Sequence, residues 1–330
     1  MDTIFGTRCF VNEIIWKRTT SKSDYRQGAI NWPRVHDTIL YYQGGGVEKG
    51  SFAQPFGAYD QEYIDRFYRH RDEDGRRYAL DNLAAPGAGT RGHPQYELMG
   101  VTRYWRYGKR KMERLVAEGR VVQTKPGAVP RYKRYLDEMP GVPITDIWDD
   151  ISPVQGRARQ NQGYQTQKPI ELLERIILAS SNDGDLVLDP FCGCGTTVCA
   201  AQKLGRRWIG IDVTHLAIGL MRSRLRDMFG DEVEAAYQVV GVPADEASAN
   251  ALALQDRHEF EHWALGLIGA RSANQGKKGA DQGVDGVLYF HDEPKKRAKK
   301  VVVQVKSGQV HSNAIRDLAH VVEREKAVMG

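Results

Sequence analysis

One stretch, Leu186-Val-Leu-Asp-Pro-Phe-Cys-Gly-Cys-Gly-Thr-Thr197, constrains this chain more than any other. Its apolar run is short and bounded by turn residues, the pattern of a buried strand. Gly193 and Gly195 allow a tight turn and a close backbone approach that a Cβ would block. Thr196 and Thr197 open a predicted helix whose first N–H groups face the loop. Strand, glycine turn and helix start together make a cradle of the nucleotide-binding type.

The candidate ligands can be ranked. A phosphate-gripping loop needs Gly-Lys-Ser/Thr, and no lysine follows Gly195. A dinucleotide fingerprint wants a third glycine where Val198 stands. Trp208-Ile-Gly-Ile-Asp212 reads as a second strand ending in an acid, at a spacing suited to a ribose diol. A cradle without a phosphate grip, with an acid for a ribose, points to S-adenosyl-L-methionine.

At these residues the chain resembles the amino-group DNA methyltransferases, which act on adenine N6 or cytosine N4. Asp189-Pro-Phe-Cys-Gly-Cys-Gly-Thr-Thr197 is similar to their cofactor motif, with Cys194 where serine is more usual. Thr166-Gln-Lys-Pro-Ile-Glu-Leu-Leu-Glu-Arg-Ile-Ile177 resembles their other cofactor-side motif, and its place ahead of the glycine loop is the permuted order of the β-type enzymes. The resemblance implies that Asp189 holds the loop and the methionine end of the cofactor. Phe191 would touch the cofactor or the base pocket, Gly193, Gly195 and Thr196 would form the cradle, and Asp212 would bind the ribose. Lys168, beside a helix start at Pro169, is placed to meet the cofactor's carboxylate.

The family's methyl-transfer tetrapeptide, Asp/Asn/Ser-Pro-Pro-aromatic, has no counterpart here, since the sequence contains no Pro-Pro pair. In the permuted order that tetrapeptide would precede residue 1, together with the central strands that follow it. The expectation is therefore a methyltransferase portion without its catalytic motif, unable to methylate DNA alone. The motif would lie upstream or in a separate N-terminal segment.

In chain order, residues 1–43 are expected to give the far-side strands, from Phe10–Lys17 and His36–Gln43. Tyr41 and Tyr42 are candidates to stack on a flipped base, and equally to be half-buried strand positions. Residues 44–165 interleave cations with aromatic rings at 67–71, 103–111 and 130–135, and stand where the family places target recognition. Arg103, Arg106, Lys109, Arg131 and Lys133 are the candidate contacts to double-stranded DNA, for which a net charge of +5 is suitable. A helix is predicted over 109–122. The acids at 146–150 read as loop solvation or caps rather than metal ligands.

Residues 166–242 form the cofactor half, with helices from Pro169 and from about His215 to Met228 and a third strand at 237–242. Leu216, Leu220 and Leu225 are expected inward on the second helix, and Arg222, Arg224 and Arg226 outward. A link over 243–255 leads to a second domain, 256–330. There Val301-Val-Val-Gln-Val-Lys306, read as a strand, sets Gln304 and Lys306 on one face. Asp285 comes alongside if its strand pairs as a hairpin. An acid, an amide oxygen and a lysine suit Mg²⁺-assisted phosphodiester cleavage.

That constellation resembles the Mrr-type restriction endonucleases, with Phe260-Glu261 matching their first helix and Glu261 a candidate further metal ligand. Gln304 replaces the commoner glutamate, which removes one negative charge. The chain end is expected inside the next helix, before the fold's closing strand.

The overall expectation is an α/β protein: an incomplete Rossmann-like methyltransferase sheet with a target-recognition insertion, then a small α/β endonuclease-like domain. Two other readings remain: a Mg²⁺-dependent endonuclease with the cofactor as effector, and a DNA-recognition subunit completed by a partner chain. Cys9, Cys192, Cys194 and Cys199 lack zinc-pair spacing and read as small packing thiols. No signal peptide or long apolar span appears, so a cytoplasmic protein is expected.

Overall fold

The structure, a computed structural model, describes residues 1–19, 30, 32–44, 52–85, 92–155, 164, 166–273, 283–290 and 298–330. It divides into two compact units, Met1–Ala53 with Asp146–Gly330, and Gln54–Thr145. The first holds the expected cofactor and endonuclease-like parts together. The second lies inside the expected recognition region.

The first unit begins with a single helical turn, α1 (Asp2–Phe5), then β1 (Phe10–Lys17) paired antiparallel with β2 (His36–Tyr42). Trp16 is buried, and its indole N–H donates to the Ile151 carbonyl at 2.9 Å.

In the second unit the chain runs through β3 (Phe56–Gly57), α2 (Gln61–Phe67), β4 (His70–Arg71), β5 (Arg77–Asn82), β6 (Gln95–Leu98) and β7 (Val101–Tyr104). It continues through α3 (Lys109–Ala117), β8 (Val121–Val122), β9 (Arg131–Tyr135) and β10 (Val142–Pro143). The order β4-β5-β9-β8 makes its main sheet, and β6 pairs with β7. Met112 and Leu115, one helical turn apart, bury α3 against Trp105, Leu83 and Leu98. The helix ends at Ala117, short of the predicted 122, because Gly119 takes a positive φ of 68° and the chain turns into β8.

Returning to the first unit, β11 (Ile147–Trp148) pairs parallel to β1, so the acid-rich stretch expected as loop contributes a third strand. Asp150 there is tied to Arg175 at 2.9 Å, which lowers its pKa. Next come α4 (Ile170–Ser180), β12 (Leu186–Asp189), α5 (Thr196–Lys203), β13 (Arg207–Gly210) and α6 (His215–Phe229). β12 and β13 pair in parallel. Alternation puts Val187 and Trp208 against the core formed by α4, α5 and α6, while Leu188 and Ile209 on the other face stay exposed.

Three expectations fail here. Residues 237–242 form no strand. The link at 243–255 contains a helix, α7 (Glu246–Gln255), started by a reciprocal cap between Asp245 and Ser248. Arg224 points inward and is 2% exposed, because it shares the helical stripe of Ala217, Met221 and Leu225.

The chain continues through α8 (Arg257–Leu267), β14 (Arg271–Ser272), β15 (Gly286–Phe290), β16 (Lys299–Val303) and α9 (Ser312–Arg324). The strand order β14-β15-β16 is antiparallel throughout. The chain end, expected within a helix, has left it: Lys326 takes a φ of 51°, and Val302 N–H donates to the Met329 carbonyl at 3.0 Å. Among the described residues no helix is long and apolar enough to cross a membrane.

Candidate functional site

The turn after β12 is built by two carboxylates. Asp189 accepts from the Phe191 N–H at 3.1 Å with one oxygen and from the Thr197 hydroxyl at 2.6 Å with the other. It thereby fixes both sides of the glycine loop. Asp212, just past β13, accepts from the Gly193 N–H at 2.9 Å and from the Thr214 N–H and hydroxyl at 3.0 and 2.9 Å. A carboxylate offers about four acceptor positions, so one remains open, and the Thr214 hydroxyl can rotate away to free another. Asp212 is half-buried and lines a groove of about 740 Å³ with Ile209–Thr214 and residues 236–242.

The glycines are required. Gly195 has a φ of +74°, and a Cβ there would stand 2.9 Å from the Met221 sulfur. Gly193 has a φ of +51°, and its Cβ would lie 3.1 Å from the Tyr164 ring. Thr196 is buried; its hydroxyl receives Arg224 Nη1 at 2.8 Å and approaches the Lys168 carbonyl at 3.4 Å. Tyr164 above the loop and Arg224 beneath it were both missed from sequence. The helical period of α6 carried the signal for Arg224; nothing local marked Tyr164.

The other predicted cofactor residues are placed as follows. Phe191 is 88% exposed, an aromatic side chain beside the loop. Lys168 sits at the α5 start through its carbonyl, while its ammonium lies 3.7 Å from Asp37 on β2. Cys192, Cys194 and Cys199 are buried packing groups, and burial pushes the Cys192 and Cys199 thiols up to about 11.

On the expected DNA side, Tyr42 donates to Asp2 at 2.6 Å, whereas Tyr41 is half-buried and stacks on Phe52. Arg103, Arg106, Lys109 and Arg131 are exposed, and none makes an ion pair among the described residues. Lys133 does not join them. Its ammonium is held by both Asp72 oxygens at 2.9 Å, with Tyr135 donating to the same carboxylate. The cause is the register of β9, which turns Lys133 toward the β4–β5 turn.

In the endonuclease-like part, the β15–β16 register, which pairs Gly286 with Val303, sets Asp285 opposite Gln304 just past the strand ends. Asp285 is 6% exposed and accepts from the Val305 N–H at 2.6 Å, and the Gln304 amide donates to the Gly283 carbonyl at 2.5 Å. Lys306 is exposed. Glu261 lies 3.9 Å from His258 on its own helix, and among the described residues no three His, Cys, Asp or Glu side chains group to hold a metal. Mg²⁺ is bound through one or two carboxylates, with water and phosphate oxygens filling its shell, and Asp285 is the one carboxylate among Asp285, Gln304 and Lys306. The basic hairpin at 295–300 and the glycine run at 279–286 lie partly outside the described residues.

Residues 252–330 match the restriction endonuclease family Mrr_cat. Among curated proteins, the type II methyltransferase M.EcaI of Enterobacter cloacae is 33% identical over 242 residues, covering 72% of this chain and 52% of that protein. M.BamHI of Bacillus amyloliquefaciens is 39% identical over 103 residues, 31% of this chain and 24% of that protein. A solved DNA modification methylase of Thermus thermophilus, complexed with S-adenosyl-L-methionine, aligns at 21% identity and a TM-score of 0.29, covering 66% of this chain and 53% of that one. The chain spans about half the length of M.EcaI and less of M.BamHI. Residues 1–219 match the DNA methylase family N6_N4_Mtase, and to that family the chain belongs.

Proposed function

We propose that this chain supplies the S-adenosyl-L-methionine cradle and the DNA-contacting region of an amino-group DNA methyltransferase of a restriction–modification system, joined to an endonuclease-like module. The observation that carries the reading is Asp212: it is locked to the Gly193 N–H, yet keeps acceptor capacity toward the groove. Bound there, the cofactor supplies an electrophilic methyl for an exocyclic adenine or cytosine amine. Asp212 takes ribose hydroxyls, Asp189 holds the loop in shape, and Phe191 offers its free face to the adenine ring or the flipped base. The first turn of α5, with Lys168 nearby, faces the cofactor's carboxylate. Arg103, Arg106, Lys109 and Arg131 contact phosphates of double-stranded DNA, and Tyr41 is the stacking candidate for the target base.

Calorimetry tests this directly. The chain should bind S-adenosyl-L-methionine, and Asp212→Ala should weaken binding about 10- to 100-fold, the value of one hydrogen bond to a charged group. No heat with the unmodified chain, or equal affinity in the variant, would remove the reading. Methyl transfer itself is assigned to a Pro-Pro-aromatic segment. Tritiated-methyl incorporation with and without such a segment, expressed separately, should rise only when it is present.

A second reading rests on the two bonds that tie Gln304 to the Gly283 carbonyl and the Val305 N–H to Asp285. If the endonuclease-like module cleaves DNA, plasmid nicking with added Mg²⁺ should fall at least about tenfold in Lys306→Ala. Equal nicking by both proteins would exclude that role for Lys306.

A further inference from the structure

The helix that starts at the cofactor acid is not capped by the methylase part alone. Thr214, the N-cap of α6, accepts from the Ala217 N–H at 3.2 Å and binds Asp212 through its own N–H and hydroxyl. The next donor, the His215 N–H, is one of the orphan groups that every helix start exposes. It donates at 2.7 Å to Oε2 of Glu259, on α8. Two carboxylates thus satisfy consecutive N–H groups at one helix start, a position where negative charge is favoured. One belongs to the methylase-matched residues 1–219 and the other to the endonuclease-matched residues 252–330.

Glu259 is not a loose surface group. Asp256 caps α8 by accepting from the His258 and Glu259 N–H groups at 2.9 and 3.1 Å, which fixes the turn that carries Glu259. Further along the helix pair, His262 and Leu265 are buried at 4% and 2% exposure, and both line the cavity that α6 shares with α8. The α8 helix is therefore seated on α6, and α7 is a folded element where a link was expected.

We propose that Glu259 is a positioning residue of the cofactor site: it holds the Thr214–His215 turn, and through it Asp212, so that cofactor binding and the seating of α8 are energetically linked. The proposal rests on the reading that S-adenosyl-L-methionine binds beside Asp212. Without the Glu259 carboxylate the His215 N–H loses its partner. The turn then rearranges toward water or toward Asp212 itself, and either change disturbs the acid that meets the ribose. Linkage is reciprocal, so whatever factor Glu259 contributes to cofactor affinity, the cofactor returns to the seating of α8.

The test uses the full chain. Calorimetry with S-adenosyl-L-methionine should show Glu259→Ala binding about tenfold more weakly, the size of one lost helix cap. Glu259→Gln, whose amide oxygen can still accept from His215, should stay within about threefold. In the unmodified chain, saturating cofactor should slow hydrogen exchange in the α8 segment 257–262 by about the same tenfold factor. Equal affinity in Glu259→Ala, or α8 exchange that ignores the cofactor, would overturn the link while leaving the cofactor site standing. Should Glu259→Ala fail to fold, the Gln variant and the exchange measurement decide alone. Failure of the unmodified chain to bind would instead remove the cofactor reading, and this link with it.

Discussion

Replacing Gly195 with alanine should lower the unfolding free energy by about 2–5 kcal/mol, from about 1–2 for a non-glycine residue in the left-handed region and about 1–3 for overpacking. Both terms act at one atom. The residue has a φ of +74°, and the new methyl would meet the Met221 side chain, itself 6% exposed and packed in the core beneath the loop. Met221 cannot withdraw without opening the contact among Val198, Leu225 and Cys199. The loop would have to move, carrying the Gly193 N–H away from Asp212. Urea titration measures the loss. Gly205→Ala is the natural comparison: its φ is +70°, but nothing lies within 4 Å of its Cβ position, so only the backbone cost applies. If the two variants lose equal stability, Met221 does not close over the turn as described.

The second large effect is expected from Trp105→Ala, at about 3–5 kcal/mol for a truncated core aromatic. Trp105 is fully buried among Leu83, Leu98, Met112 and Val121, and its indole N–H donates to the Tyr96 carbonyl at 2.8 Å. Truncation leaves a cavity and removes one hydrogen bond from the Tyr96 carbonyl. The same side chain anchors the stretch that presents Arg103, Arg106 and Lys109 to solvent. DNA affinity should fall with stability, and the affinity that remains should depend less steeply on salt as phosphate contacts are lost. Hydrogen exchange across 92–135 and gel shifts at two salt concentrations measure both. Unchanged exchange there would show that Trp105 is not the centre of that core.

Strand, glycine turn and helix start around Asp189–Thr197 were legible in the sequence. So were the second strand leading to Asp212, the helix from Pro169 and the antiparallel pairing of the two strands that follow Asp285 and precede Gln304. Each is specified by neighbours within a few residues, through alternation, helical period and turn chemistry. Other features depended on partners far along the chain. A positive side chain reads as outward-facing until the stripe it occupies is covered, which is why Arg224 and Lys133 were misplaced. Arg224 lies under the loop because α6 buries that face, and Lys133 is bound because β5 and β9 bring Asp72 within reach.

Trp148 shows the same limit, since a two-residue strand carries no period and exists only because β1 has an open edge. So does Glu259, an ordinary acid in the first turn of a helix by sequence. The sequence by itself determined which local shapes this protein makes and which acid stands at the cofactor turn. Only the tertiary structure decided which charges are buried and which helix start Glu259 caps, because hydrogen-bond partners distant in sequence leave no periodic trace in it.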